Sequence, residues 1–169
     1  MRKPVYRINQ GDICAEIGVW KGEFSEQILS RHPKELHLID PWIHQEAPWA
    51  KWAKGPEVDN AYHIVQKKFK DDERVTIHKK NSTDMSFGEG YFDWVYIDAD
   101  HSHDSVWKDL CHWWPQVKES GHLCGDDYNW KHWKTKGPQA AVDKFVKDNR
   151  LHVIIKHNQY IITRNELQI

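Results

Sequence analysis

The sequence predicts an α/β protein: an open, mostly parallel sheet with helices on both faces, ended by an antiparallel hairpin. Three observations carry this. Seven short apolar runs have the length and the β-branched or aromatic content of strands. Between the early runs lie segments whose apolar residues recur at helical spacing, the alternation that builds parallel sheets. The last two runs, 151–155 and 160–163, are too close in sequence for a crossover, and so short a link fits only an antiparallel pair.

Each element follows from its residues. "ICAEIG" (13–18) reads as the first strand, and Gly22 then turns into a helix with Phe24, Ile28 and Leu29 on one side. "ELHLID" (35–40) is the second strand. Pro56 opens a helix with Val58, Tyr62, Val65 and Phe69 facing inward, and "VTIH" (75–78) is the third strand. "DWVYID" (93–98) is the fourth. Ser102 caps the next helix, whose stripe of Val106, Trp107, Leu110, Cys111 and Trp114 is closed by Pro115. Gly121 turns into "HLCGDD" (122–127), and Pro138 starts a helix with Val142, Phe145 and Val146 inward, before the closing hairpin.

Composition narrows the function. The 169 residues suit one domain, 1–169, with a very short N-terminal extension at 1–12. A net charge of −1 gives no pull toward nucleic acid or anionic membrane, so a small molecule is the expected partner. The three cysteines form no C-x-x-C pair, and no end of the chain resembles a leader or a membrane span; a cytoplasmic protein with cysteines serving as small buried hydrophobes is expected. The mean hydropathy of −0.83 is low, yet ten tryptophans supply apolar area that this index undervalues.

Acids stand at nearly every strand tip: Glu16, Asp40, Asp98 with Asp100, and Asp126 with Asp127, while Asn81 and Ser82 follow the third strand. One such acid is ordinarily a cap or turn former. Several together mark the end of the sheet where open α/β folds bind ligands. "EIGVWKG" (16–22) places Trp20 where a dinucleotide turn needs glycine, which disfavours a diphosphate and a nicotinamide dehydrogenase. Asp40 has the place of a carboxylate that accepts ribose hydroxyls. A nucleoside without phosphate is the ligand these residues suit.

The motifs "EIGVWKG", "LIDPW", "YIDADHS" and "GDDY", in this order between Ile13 and Thr163, resemble class I S-adenosylmethionine-dependent methyltransferases. Among these they are most similar to the metal-dependent O-methyltransferases of the catechol, caffeoyl-CoA and macrocin-like sugar kind. The resemblance implies a Rossmann-like methyltransferase fold and S-adenosyl-L-methionine as cofactor. It implies a cofactor wall of Glu16, Gly18, Trp20, Gly22, Asp40, Pro41, Trp42, Asn81, Ser82 and Asp98. It also puts a metal on Asp98, Asp126 and Asp127; an all-carboxylate set suits Mg2+, with Mn2+ or Ca2+ as substitutes.

The chemistry implied is methylation of a hydroxyl on a sugar, polyol or catechol-like acceptor, activated by the metal and a base. His101 is the first candidate base, because an imidazole titrates near ~6.5, and Asp100 is the second. The relatives close their site with N-terminal helices. Here cover is expected from 41–57, from 128–137, or from a second subunit of a homo-oligomer, with tryptophans as stacking surfaces or plain loop anchors. The remaining histidines lack zinc-site spacing and read as structural. Two other readings stay open: a metal-independent methyltransferase of the same fold, and a non-catalytic nucleoside-binding module.

Overall fold

In a computed structural model, which describes residues 4–43, 56–130 and 137–166, the apolar runs form seven strands. These are β1 (Ile13–Ile17), β2 (Glu35–Asp40), β3 (Val75–Lys79), β4 (Phe92–Ile97), β5 (Val117–Gly125), β6 (His152–Lys156) and β7 (Gln159–Thr163). The helices are α1 (Glu23–Leu29), α2 (Pro56–Phe69), α3 (His103–Trp113) and α4 (Gly137–Asn149). The strands make one sheet in the order β3-β2-β1-β4-β5-β7-β6, and β7 runs antiparallel to the other six. This is the predicted architecture.

The central strands are buried on both faces, so each face has its own core. On one, α1 and α2 lay Phe24, Ile28, Val58 and Val65 over Cys14, Leu36, Leu38, Trp94 and Tyr96, with Val5 and Ile8 from the N-terminal segment. On the other, α3 and α4 bring Val106, Leu110, Trp113, Val142 and Phe145 onto Ala15, Val95, Ile97 and Tyr160. Over β2 and β3 this second face has Phe87 and Tyr91 packed edge-on to His37, whose Nδ1 lies 3.0 Å from His78 Nε2. Burial lowers the pKa of both imidazoles, as expected for structural histidines.

Two segments depart from expectation. β5 starts at Val117 and passes straight through Gly121, where a turn was expected. The pairing with β4 shifts register between Phe92 and Trp94, and a Cβ on Gly121 would stand 2.9 Å from Asp93 O; a residue without one lets the irregular strands approach. The α3 stripe is Val106, Asp109, Leu110 and Trp113, so Trp107 and Trp114 lie half-buried and Cys111 is exposed. Predicted strand ends otherwise agree to within two residues.

Ser102 caps α3 as expected, its hydroxyl accepting the Ser105 N–H at 3.3 Å. The β6–β7 link is the two residues His157 and Asn158, both at positive φ. Among the described residues no helix is long and apolar enough to cross a membrane. Most of the 41–57 and 128–137 covers (44–55 and 131–136) lies outside the described residues.

Candidate active site

A cavity of about 710 Å³ opens at the carboxyl ends of β1, β2 and β4, within the ~300–1,000 Å³ range of small-ligand sites. Its floor is the turn after β1. Gly18 takes φ 87°, and a Cβ there would sit 2.1 Å from the carbonyl oxygen of Asp98, so only glycine lets β1 and β4 meet at their tips. Glu16, buried to 1% exposure, reaches the cavity wall and accepts the Ser25 hydroxyl at 2.5 Å.

Asp40 organises this turn. Its Oδ2 accepts the N–H groups of Val19 (2.9 Å) and Trp20 (3.0 Å), and its Oδ1 accepts that of Trp42 (2.7 Å). A carboxylate offers about four lone-pair positions, so Asp40 retains one, on Oδ1, for a ligand hydroxyl. Trp20 and Trp42 stand at φ 53° and 43°, conformations that cost an L-residue roughly 1–2 kcal/mol. The Asp40 bonds and a Trp42 Nε1–H bond to Trp20 O (2.9 Å) hold them there. Trp42, 3% exposed, thus anchors a wall it also lines. Gly22 lies off the cavity: at φ 70° it begins α1, and a Cβ would meet the Phe69 ring at 2.9 Å.

Pro41, Asn81 and Ser82 line the cavity as expected. Beside them is Asp109, a residue the sequence reading missed; it is 4% exposed and accepts the Ser82 hydroxyl. Burial pushes its carboxyl up to about 6, the Ser82 bond and nearby His112 opposing and Asp100 reinforcing the rise. The legible signal was an acid on the apolar stripe of α3, hidden by the wrong helix phase. Glu23, Gln27 and Lys108 are further wall residues that no motif marked, and Lys21, inside the EIGVWKG turn, joins them.

At the tips of β4 and β5 the structure gathers Asp98, His101 and Asp127. His101 Nε2 lies 3.5 Å from Asp127 Oδ2 and 4.0 Å from Asp98 Oδ1, and its ring is 5.5 Å from that of Trp130. Asp98, Asp100 and His101 line the cavity. Asp100 accepts the Ser102 N–H at 2.7 Å, the work of a turn former.

The expected metal set does not form. Asp126 turns inward: its Oδ1 accepts the Asp127 N–H (2.9 Å) and Gln159 Nε2–H (3.3 Å), and it hydrogen-bonds the Tyr96 phenol, which burial holds far above its usual pKa. Asp127 Oδ1 accepts from Asn158 Nδ2 at 3.0 Å. Among the described residues no group of three or more His, Cys, Asp or Glu side chains is arranged to hold a metal ion. The side chains therefore do not fit a cation as they stand, whereas the cavity, the bare Gly18 backbone and the remaining Asp40 acceptor fit a nucleoside.

Comparison with known proteins agrees with this geometry. A family described as "Methyltransferase domain" matches residues 15–128. No curated protein matches the chain by sequence. A crystal structure of a Corynebacterium glutamicum protein superposes with a TM-score of 0.64 at 16% identity, covering 94% of this chain and 74% of that one. The N-methyltransferase NodS from Bradyrhizobium japonicum, in complex with S-adenosyl-L-homocysteine, gives 0.62 at 15%, covering 90% and 76%. A SAM-dependent methyltransferase from Aquifex aeolicus gives 0.61 at 13%, covering 95% and 88%. At such identities the likeness is one of fold.

Proposed function

Because the chain belongs to the methyltransferase-domain family, we propose that it moves a methyl group from S-adenosylmethionine to a hydroxyl of a small molecule, with His101 taking the hydroxyl proton. The observation that carries this reading is an imidazole on the cavity wall, backed by two carboxylates on one of its nitrogens. An alcohol or phenol must shed its proton as it attacks, while a neutral amine is already nucleophilic; a placed base favours oxygen as the acceptor atom.

The residues divide the work. The Gly18 turn gives the ligand a surface of bare backbone, Glu16 presents a buried carboxylate toward an ammonium group, and Asp40 Oδ1 accepts one ribose hydroxyl. Bound S-adenosylmethionine supplies a methyl carbon activated for displacement. His101 accepts the proton of the incoming hydroxyl, and the Asp98 and Asp127 carboxylates stabilise the imidazolium that results. Holding donor and acceptor together supplies the rest, because an in-line transfer is limited by alignment.

In the metal-dependent form of the same reaction, Mg2+, Mn2+ or Ca2+ would sit on Asp98, Asp126 and Asp127. That arrangement requires Asp126 to leave Tyr96 and Gln159, and His101 to leave the space between Asp98 and Asp127. Release of S-adenosylhomocysteine across a panel of sugars, polyols and catechols separates the readings. Turnover is expected to persist in EDTA, and His101→Gln is expected to slow it by on the order of 10²-fold with cofactor affinity within about twofold. Turnover lost in EDTA and restored by Mg2+ moves the function to the metal-dependent form. Cofactor binding without release for any acceptor leaves a nucleoside-binding module.

A further inference from the structure

The β6–β7 turn reaches the active site through one side chain. His157 and Asn158 take φ of 52° and 67°, the left-handed pair of a two-residue hairpin with primed-turn twist. Glycine satisfies that backbone as well as asparagine does. What glycine could not supply are the amide bonds of Asn158: Nδ2–H to Asp127 Oδ1 (3.0 Å), and Oδ1 from the Asn129 N–H (2.6 Å). The backbone carbonyl of Asn158 adds a third tie, accepting the Tyr128 N–H at 2.8 Å.

These bonds hold a strained residue. Asp127 stands at φ 54°, outside the conformations an L-residue prefers, and its orientation depends on what its carboxylate meets. With Oδ1 occupied by Asn158, Oδ2 is left 3.5 Å from His101 Nε2, and Asp98 Oδ1 faces the same nitrogen from 4.0 Å. Two anionic oxygens repel a lone pair and attract an N–H, so in neutral His101 the proton belongs on Nε2. Nδ1 then carries the lone pair, and it has no hydrogen-bond partner among the described residues.

We propose that Asn158 is a positioning residue: through Asp127 it holds His101 as the Nε2–H tautomer, making Nδ1 the atom that receives the acceptor's proton. This rests on the base role given to His101 above. The hydroxyl O–H bond breaks with its proton passing to Nδ1; the oxygen pair forms the new O–C bond, and the C–S pair departs with sulfur.

The test reads the tautomer directly and needs no acceptor. In 15N-labelled protein saturated with S-adenosylhomocysteine, at pH ~8.5 where an ordinary imidazole of ~6.5 is neutral, long-range 1H–15N spectra distinguish the two ring nitrogens. His101 is identified by the signal missing from His101→Gln. The wild type is expected to show the Nε2–H pattern, and Asn158→Gly, which preserves the turn, a mixture of tautomers. Asn158→Asp, which sets a carboxylate against Asp127, is expected to disturb the pattern at least as much. An Nδ1–H pattern in the wild type, or an unchanged Nε2–H pattern in both variants, overturns the proposal. The expected spectra together with full turnover in His101→Gln would support the tautomer device while removing the base role, so the two ideas fail separately.

Discussion

Asp109 illustrates how a single buried carboxyl couples a site to pH. Its folded-state pKa of about 6 lies above the ordinary 3.8 because burial disfavours the charged form. An acid raised on folding holds its proton more tightly in the native state than in the unfolded chain. Its contribution is therefore intact below about pH 4 and is lost as pH rises through about 6. At about 1.4 kcal/mol per pH unit, the loss amounts to roughly 3 kcal/mol. Asparagine would still accept the Ser82 hydroxyl and cannot ionise. Asp109→Asn is accordingly expected to match the wild type in urea near pH 4 and to exceed it by a few kcal/mol near pH 7.5; a difference independent of pH would refute this account. At the neighbouring turn, Gly18→Ala is expected to abolish S-adenosylhomocysteine binding in calorimetry, because its Cβ would collide with Asp98 O at 2.1 Å in a conformation that disfavours any side chain.

At the scale of elements, α3 connects the site to the core. Its N-terminus follows His101, its middle presents Asp109 to the cavity, and Val106, Leu110 and Trp113 bury the same helix on the sheet. The start of the helix is set by the Ser102 hydroxyl on the Ser105 N–H. Removing such a cap costs about 1 kcal/mol, so Ser102→Ala is expected to lower the melting temperature by roughly 2–4 °C, with Ser102→Thr restoring most of it. An unchanged melting temperature in Ser102→Ala would show that the cap bond is dispensable. The β6–β7 hairpin plays a corresponding part on the other side, since its turn is bonded to the segment that carries Asp127.

For the whole molecule, ligand binding and folding are linked because the site is assembled from the tips of separate strands. Glu16, Asp40 and Asp98 belong to β1, β2 and the tip of β4, and they share one cavity only in the native sheet. A ligand that recognises this assembly stabilises it by RT ln(1 + [L]/Kd), about 2.7 kcal/mol at a hundredfold excess over Kd. S-adenosylhomocysteine at that excess is expected to raise the melting temperature by on the order of 5–10 °C. No shift would place the cofactor elsewhere.

The sequence by itself determined the α/β class, the strand positions, the cap at Ser102, the hairpin and the cavity wall of Glu16, Gly18, Asp40, Asn81, Ser82, Asp98 and His101. These are local properties: a strand's apolar run, a helix start, a glycine at a tight turn, and the rule that tips of parallel strands face one end of the sheet. Only the tertiary structure decided what the polar groups do there. Asp40 spends three lone pairs on the turn, Asp126 turns inward to Tyr96 and Gln159, and Asp127 pairs with His101 and Asn158. Asp109 enters the wall because the helix phase differs from the one its sequence suggested. For the three strand-tip acids the physical reason is shared: a carboxylate takes the orientation of whichever donors reach it, and the decisive ones (Val19 and Trp20 on Asp40, Tyr96 and Gln159 on Asp126, Asn158 on Asp127) come from segments distant in the chain, which periodicity and spacing do not encode.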